Sequence, residues 1–261
     1  MYQKICQVDQ HYIKITCDSS LLWKYIEPNF IAAPTTAPTQ VNIELDILGN
    51  YGNPFSGFDV RVANFDHAVL FKRDDYLIAA TPDFRKAVIK AHDQMALKHA
   101  LLNVYSSYLI QHQSGLLIHS SCVIDHGAAH MFAGVSGVGK STVARLSYPR
   151  PLLSDEATLI KFSPGAINVY NSPFRSDIHA TGGGKPSPLK SIQLLHQDSQ
   201  DQRTRTTQER GLKQLLERTF YWPHVDQDLQ TIHELLKRIV EQVPVYDLSF
   251  RKSNAFWNLI S

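Results

Sequence analysis

Gly134-Val135-Ser136-Gly137-Val138-Gly139-Lys140-Ser141 is a complete G-x-x-x-x-G-K-[ST] stretch, and its setting matters as much as its letters. It follows an apolar, strand-like run, Ala128-Ala-His-Met-Phe-Ala133, and opens onto the helix-compatible Thr142-Val-Ala-Arg-Leu146. Glycines at these places let backbone N–H groups curl around an anion where a Cβ would intrude. The lysine can reach β- and γ-phosphate oxygens, and the hydroxyl after it can ligate Mg²⁺. A helix starting there adds a positive N-terminal dipole. Gly134, Val135, Ser136, Gly137, Val138, Gly139, Lys140, Ser141 and Thr142 are therefore expected to cradle a nucleoside triphosphate, with ATP and Mg²⁺ as substrate and metal.

Upstream, Leu116-Leu-Ile-His119-Ser-Ser-Cys-Val-Ile124 reads as a strand and Asp125-His126-Gly127 as a turn. An antiparallel hairpin thus delivers the phosphate loop, where a parallel β-α-β approach is the usual one. Downstream, Ser147-Tyr-Pro149-Arg-Pro151 stops the helix after hardly two turns. The acidic pair Asp155-Glu156 follows at once. Phosphoryl transfer needs positioning and charge neutralisation more than covalent help, with a carboxylate placed to take the acceptor's proton. Arg175, just after Pro173-Phe174, could pair bidentately with phosphate oxygens. His119 alone has no such warrant, because a strand histidine is more often a core or surface residue.

Further out, residues 1–82 read as a β-rich N-terminal region. Tyr12–Thr16 and Val41–Ile47 alternate apolar and polar residues, and Val69–Lys72 with Tyr76–Ala80 bracket a turn. Residues 83–112 read as a connecting helix, with Val88, Ala91, Met95, Leu101, Val104 and Tyr108 at helical steps. Residues 113–261 form the P-loop kinase-like core. Within it, Ala166–Tyr170, Ser191–Leu195 and Val243–Phe250 are expected strands. Thr206-Thr-Gln-Glu209 fits a capping box before a helix at 211–216, and Leu229 to Val240 mark another helix.

The chain has 261 residues, 43% hydrophobic and 19% charged, with a formal charge of +2, too small to argue for a nucleic-acid partner. Cys6, Cys17 and Cys122 show no metal or disulfide spacing and are expected as reduced thiols. The N-terminus has no signal pattern, and no apolar run approaches the ~20 residues of a membrane helix. A cytoplasmic protein with no membrane partner is expected.

His119, then Gly134–Ser141, then the closely following Asp155-Glu156 resembles the HPr serine kinase/phosphorylase family, over roughly residues 110 to 260. The resemblance implies an α/β fold: a PEP-carboxykinase-like, HPr-kinase-like nucleotide-binding core with a β-rich N-terminal region. It implies ATP-dependent phosphoryl transfer to a hydroxyl, usually a serine of a protein or peptide, with Asp155, Glu156, His119 and Arg175 as catalytic candidates. One acid would act on the acceptor and the other would hold Mg²⁺ with Ser141; the division between Asp155 and Glu156 stays open. The family pair is typically Asp-Asp, and the longer Glu156 puts the reverse phosphorylase activity in question. The family's long acceptor loop has no clear counterpart here, and Gly182 to Lys185 is the segment that could stand in its place. Some relatives modify peptide natural-product precursors, and relatives often assemble as homo-oligomers. A non-catalytic nucleotide-binding regulatory module and a small-molecule kinase remain the alternatives.

Overall fold

The computed structural model describes residues 1–36, 40–176, 178 and 185–260. The chain is a mixed α/β protein with two sheets. It divides into two compact units, Met1–His112 with Tyr221–Leu229, and Gln113–Phe220 with Gln230–Ser261.

The first unit holds β1 (Tyr2–Val8), β2 (His11–Cys17), α1 (Ser20–Asn29), β3 (Ile43–Leu48), β4 (Arg61–Phe65), β5 (Ala68–Lys72), β6 (Tyr76–Ala80), β7 (Lys86–Ala91) and α2 (Gln94–Gln111). The sheet order is β1-β2-β3-β7-β6-β5-β4, with β3 parallel to both β2 and β7. Alternation along the strands buries Ile13, Ile15, Ile43, Leu45, Ile47, Ile78 and Ile89 and leaves Lys14, Glu44 and Lys86 on the other face. Asp93 caps α2 by accepting the N–H of Ala96 at 2.8 Å.

The expected connecting helix over 83–112 is corrected here, because it starts only at Gln94 and residues Lys86–Ala91 are a strand. Ala87, Ile89 and Ala91 are buried while Lys86, Val88 and Lys90 face out, a period of two that prevails over the helical spacing of Val88, Ala91 and Met95. Residues 221–229, expected within the core, belong to the first unit. There His224 packs edge-on against the rings of both Phe71 and Phe84, its Nδ1 2.7 Å from Asp228.

The second unit holds β8 (Gly115–Asp125), β9 (Ala128–Ala133), α3 (Lys140–Leu146), β10 (Leu152–Ser154), β11 (Ala157–Ser163), β12 (Ala166–Tyr170), β13 (Ser187–Gln197), β14 (Gln202–Arg205), α4 (Gln208–Leu216), β15 (Val245–Phe250) and a 3₁₀ helix at Asn254–Leu259; α5 (Asp226–Gln242) contains the boundary between the units. β8 and β9 form the antiparallel hairpin, turning through His126 and Gly127 at φ 47° and 79°. Two consecutive left-handed residues are what a tight two-residue hairpin turn requires. β9 lies parallel to β13, and β13 parallel to β15. Val123, Phe132, Val143, Leu195, Leu248, Phe250, Phe256 and Trp257 pack α3 onto this sheet.

Thr207, not Thr206, caps α4, accepting the N–H of Arg210, and the helix begins before Gly211. The N–H of Thr206 donates to the carbonyl of Val245, which ties that residue to the sheet and moves the cap one position on. All three cysteines are buried free thiols. Among the described residues no helix is long and apolar enough to cross a membrane. Gly182–Gly184, most of the segment considered for acceptor binding, lie outside the described residues.

Candidate phosphate-binding site

β9 ends at Ala133, and the chain enters the loop with Gly134, where a Cβ would meet Val138 Cγ1 at 2.6 Å. Gly137 and Gly139 have φ of 79° and 113°, a backbone region that side chains disfavour. α3 starts at Lys140. The hydroxyl of Ser121 on β8 donates to the Lys140 carbonyl at 3.1 Å, pinning the first turn of α3 to the hairpin. Gln197, at the end of β13, donates to the carbonyl of Gly137 at 3.2 Å.

Lys140 is buried, and its ammonium donates to the carbonyls of Gly134 and Val135, each at 3.0 Å. The ammonium is thus drawn back into its own loop. Burial pulls its pKa below the usual lysine range, the charge of Arg218 adds to that, and Glu156 opposes it.

The facing wall comes from the step between β10 and β11. Asp155 is 2% exposed. Its carboxylate accepts the backbone N–H of Ser176 at 3.2 and 3.3 Å and that of Ile178 at 3.0 Å. The carbonyl of Glu156 accepts the N–H of Ser120 at 3.0 Å, which locks the acid pair to β8. Behind the pair, Thr158 Oγ1 lies 2.6 Å from Ser120 Oγ and 2.5 Å from Ser154 Oγ, a buried hydroxyl cluster that cross-links β8, β10 and β11. His119 is half-buried on β8 opposite Ala157, with its ring centroid 5.5 Å from that of Phe220.

These elements enclose a cavity of about 270 Å³ lined by His119, Ser136, Gly137, Gly139, Lys140, Ser141, Thr142, Asp155, Glu156 and Ser176. Sequence reasoning named all of them except Ser176, which follows no motif and reaches the cavity because Asp155 holds its amide. Gly134, Val135 and Val138 shape the loop without lining the cavity: two give their carbonyls to Lys140, and Val138 packs on the core.

Arg175, expected to pair with phosphate oxygens, is not among the residues that line the cavity. It is 7% exposed, and its Nε and Nη2 donate to the carbonyls of Ser172 and Leu153, with a further bond to Asn171. Burial lowers its pKa to about 10, and the nearby Asp155 opposes that shift. It braces the segment that carries Ser176.

Among the described residues no group of three or more His, Cys, Asp or Glu could hold a metal ion. Mg²⁺ does not need one, because it takes one or two carboxylates or hydroxyls and completes its octahedron with water and phosphate oxygens. Ser141, Asp155 and Glu156 around one cavity fit that pattern.

The family described as "SynChlorMet cassette protein ScmC" matches residues 83–261. Among solved structures, the chain is similar to the Hpr(Ser) kinase/phosphatase from Coxiella burnetii, with 12% identity, a TM-score of 0.28, and coverage of 48% of this chain and 97% of that one. No curated protein matches the chain. On the family match, which spans most of its length, this chain belongs to the SynChlorMet cassette protein ScmC family.

Proposed function

We propose that the second unit is an ATP-dependent kinase that transfers the terminal phosphoryl group to a hydroxyl, a serine of a protein or peptide being the acceptor its resemblance favours. One observation carries this reading: the phosphate loop with Lys140 and Ser141 shares a single small cavity with Asp155, Glu156 and His119. A bland glycine-rich turn would have no reason to face two carboxylates across such a space.

On this reading, loop N–H groups and Lys140 hold the β- and γ-phosphates, the ammonium exchanging the carbonyls of Gly134 and Val135 for phosphate oxygens. Mg²⁺ at Ser141 and one acid would neutralise charge on the same oxygens. Asp155 is held by two backbone amides, so its oxygens keep a fixed position. Glu156 is half-buried, and its backbone carbonyl accepts the N–H of Ser120. The acceptor oxygen attacks phosphorus, the bond to the bridging oxygen breaks, ADP leaves, and a carboxylate of the pair takes the acceptor's proton.

Calorimetry with Mg²⁺ and ATP tests the reading. The wild type should bind, Lys140→Ala should lose binding, and Asp155→Asn should keep most of it while losing transfer. A wild type that binds no nucleotide would overturn the proposal.

A further inference from the structure

Beyond the roles assigned so far, we infer that Ser176 is a self-phosphorylation site, its hydroxyl taking the terminal phosphoryl group of the nucleotide bound in the same chain. This rests on the kinase reading above and gives that site an acceptor within its own wall.

Ser176 is exposed, and it lines the same cavity as Lys140, Ser141, Asp155 and Glu156. Its backbone N–H donates to both oxygens of the Asp155 carboxylate, at 3.2 and 3.3 Å. A serine hydroxyl turns about one bond and stays within about 4 Å of its own nitrogen. The hydroxyl is therefore kept in the neighbourhood of a carboxylate able to take its proton. Arg175 braces the position, donating to the carbonyls of Ser172 and Leu153.

The hydroxyls around it are engaged. That of Ser121 donates to the carbonyl of Lys140, and that of Ser172 accepts the N–H of Phe174. Those of Ser120, Ser154 and Thr158 bond to one another. Among the described residues the Ser176 hydroxyl has no such partner. The bond to Asp155 asks only for an amide, which every residue but proline supplies. A side chain that can act as a nucleophile is an addition to that anchoring role.

Three other hydroxyl residues, Ser136, Ser141 and Thr142, line the cavity. In-line transfer sets them apart, because the nucleophile must approach phosphorus opposite the leaving oxygen. All three sit on the loop and the first turn of α3, the side that holds the leaving β-phosphate on the kinase reading. Ser176 belongs to the facing wall, with the acid pair. From there its Oγ bonds to the γ-phosphorus, and the bond from phosphorus to the β–γ bridging oxygen breaks. ADP leaves with that electron pair, and Asp155 or Glu156 takes the hydroxyl proton. Donor and acceptor share one cavity, so the step needs no encounter between molecules. The product carries about two negative charges beside Asp155, where an outside acceptor has to enter, so the reaction limits itself.

The test incubates the phosphatase-treated full chain with Mg–ATP, follows phosphate incorporation by intact mass and locates it by peptide mapping. Wild type, Ser176→Ala, Ser176→Thr and Lys140→Ala are compared, and ATP binding by the wild type is measured by calorimetry alongside. The wild type should gain a single phosphate at Ser176, with a rate constant unchanged when the protein is diluted. S176T should still gain it at that position, S176A should gain none, and K140A should slow the gain about 100-fold or more. A wild type that binds ATP yet gains no phosphate, or gains it elsewhere, Ser136, Ser141 and Thr142 included, overturns the inference and leaves the kinase reading standing. A rate that rises with protein concentration also overturns it, since the acceptor then belongs to another molecule. So does a K140A variant modified at the wild-type rate, which traces the phosphate to another enzyme. Should a variant not fold, mapping and dilution of the wild type decide alone. A wild type that binds no ATP removes the nucleotide reading itself, and this inference with it.

Discussion

The ring of Phe250, at the end of β15, lies against Gly139 at the last turn of the phosphate loop, so a Cβ built on Gly139 would stand 2.8 Å from Phe250 Cζ. Contact between ring and loop, together with φ of 113°, excludes a side chain there. Gly139→Ala should therefore destabilise the second unit by more than about 2 kcal/mol and abolish nucleotide binding. Gly137→Ala meets no atom within 4 Å and should cost only about 1 kcal/mol, from its positive φ. Thermal melts of the two variants check this, and equal losses would show that the ring contact is immaterial.

Thr158 sits at the centre of the hydroxyl cluster behind the acid pair. Thr158→Val preserves volume but leaves the hydroxyls of Ser120 and Ser154 short of a partner. The expected loss is about 1–3 kcal/mol of stability. Urea denaturation measures it, and a neutral result would mean that the remaining serines pair with one another.

Two histidines make stability depend on acid. Burial lowers the pKa of His99, in the first unit, to about 4, with Arg73 and Lys98 adding to the effect against Asp75 and Asp93. Burial likewise lowers that of His130, in the second, to about 4, where Asp125 opposes the shift and Arg203, Lys190 and Arg150 reinforce it. Unfolded histidine takes a proton near pH 6.5, so between about 6.5 and 4 the unfolded chain binds more protons than the folded one. Stability should fall as pH drops through that window, by roughly 3 kcal/mol for each group, and level off below it. Urea midpoints from pH 7 to pH 4 read this out. His130→Gln should flatten the dependence, and an unchanged slope would exclude His130 as a contributor.

Asp155→Asn tests the backbone cradle of that acid. One amide oxygen replaces two carboxylate oxygens that now accept from Ser176 and Ile178. The amides of both residues should exchange with solvent about 10-fold faster or more in the variant. Unchanged exchange would show that the segment is held by other contacts.

The loop, the hairpin before it and the short helix after it were legible because each rests on local chemistry: glycines for positive φ, a His-Gly turn, and prolines at 149 and 151. The acid pair was legible for the same reason. β7 was not, since its apolar residues satisfy two periods at once and only pairing with β3 and β6 decides between them. α2 buries every residue from Ala100 to Ile110, including Asn103, Ser106 and Ser107, so its polar positions mark no solvent face. Ser176 reaches the site through the backbone bond of its amide to Asp155, and no spacing rule announces such a bond.

The β8–β9 hairpin has a consequence for the order of assembly. Strand, tight turn, strand, loop, short helix and acid pair occupy the unbroken stretch from Gly115 to Glu156, and among the described residues Ser176 is the one cavity residue beyond it. Contacts close in sequence demand little loop-closure entropy and form early, whereas the parallel pairing of β9 with β13 and of β13 with β15 must wait for distant chain. The site is thus drafted before the sheet that supports it is complete. In pulsed hydrogen exchange during refolding, the amides of Ser120 to Ala133 should gain protection before those of Ile192 to Phe250.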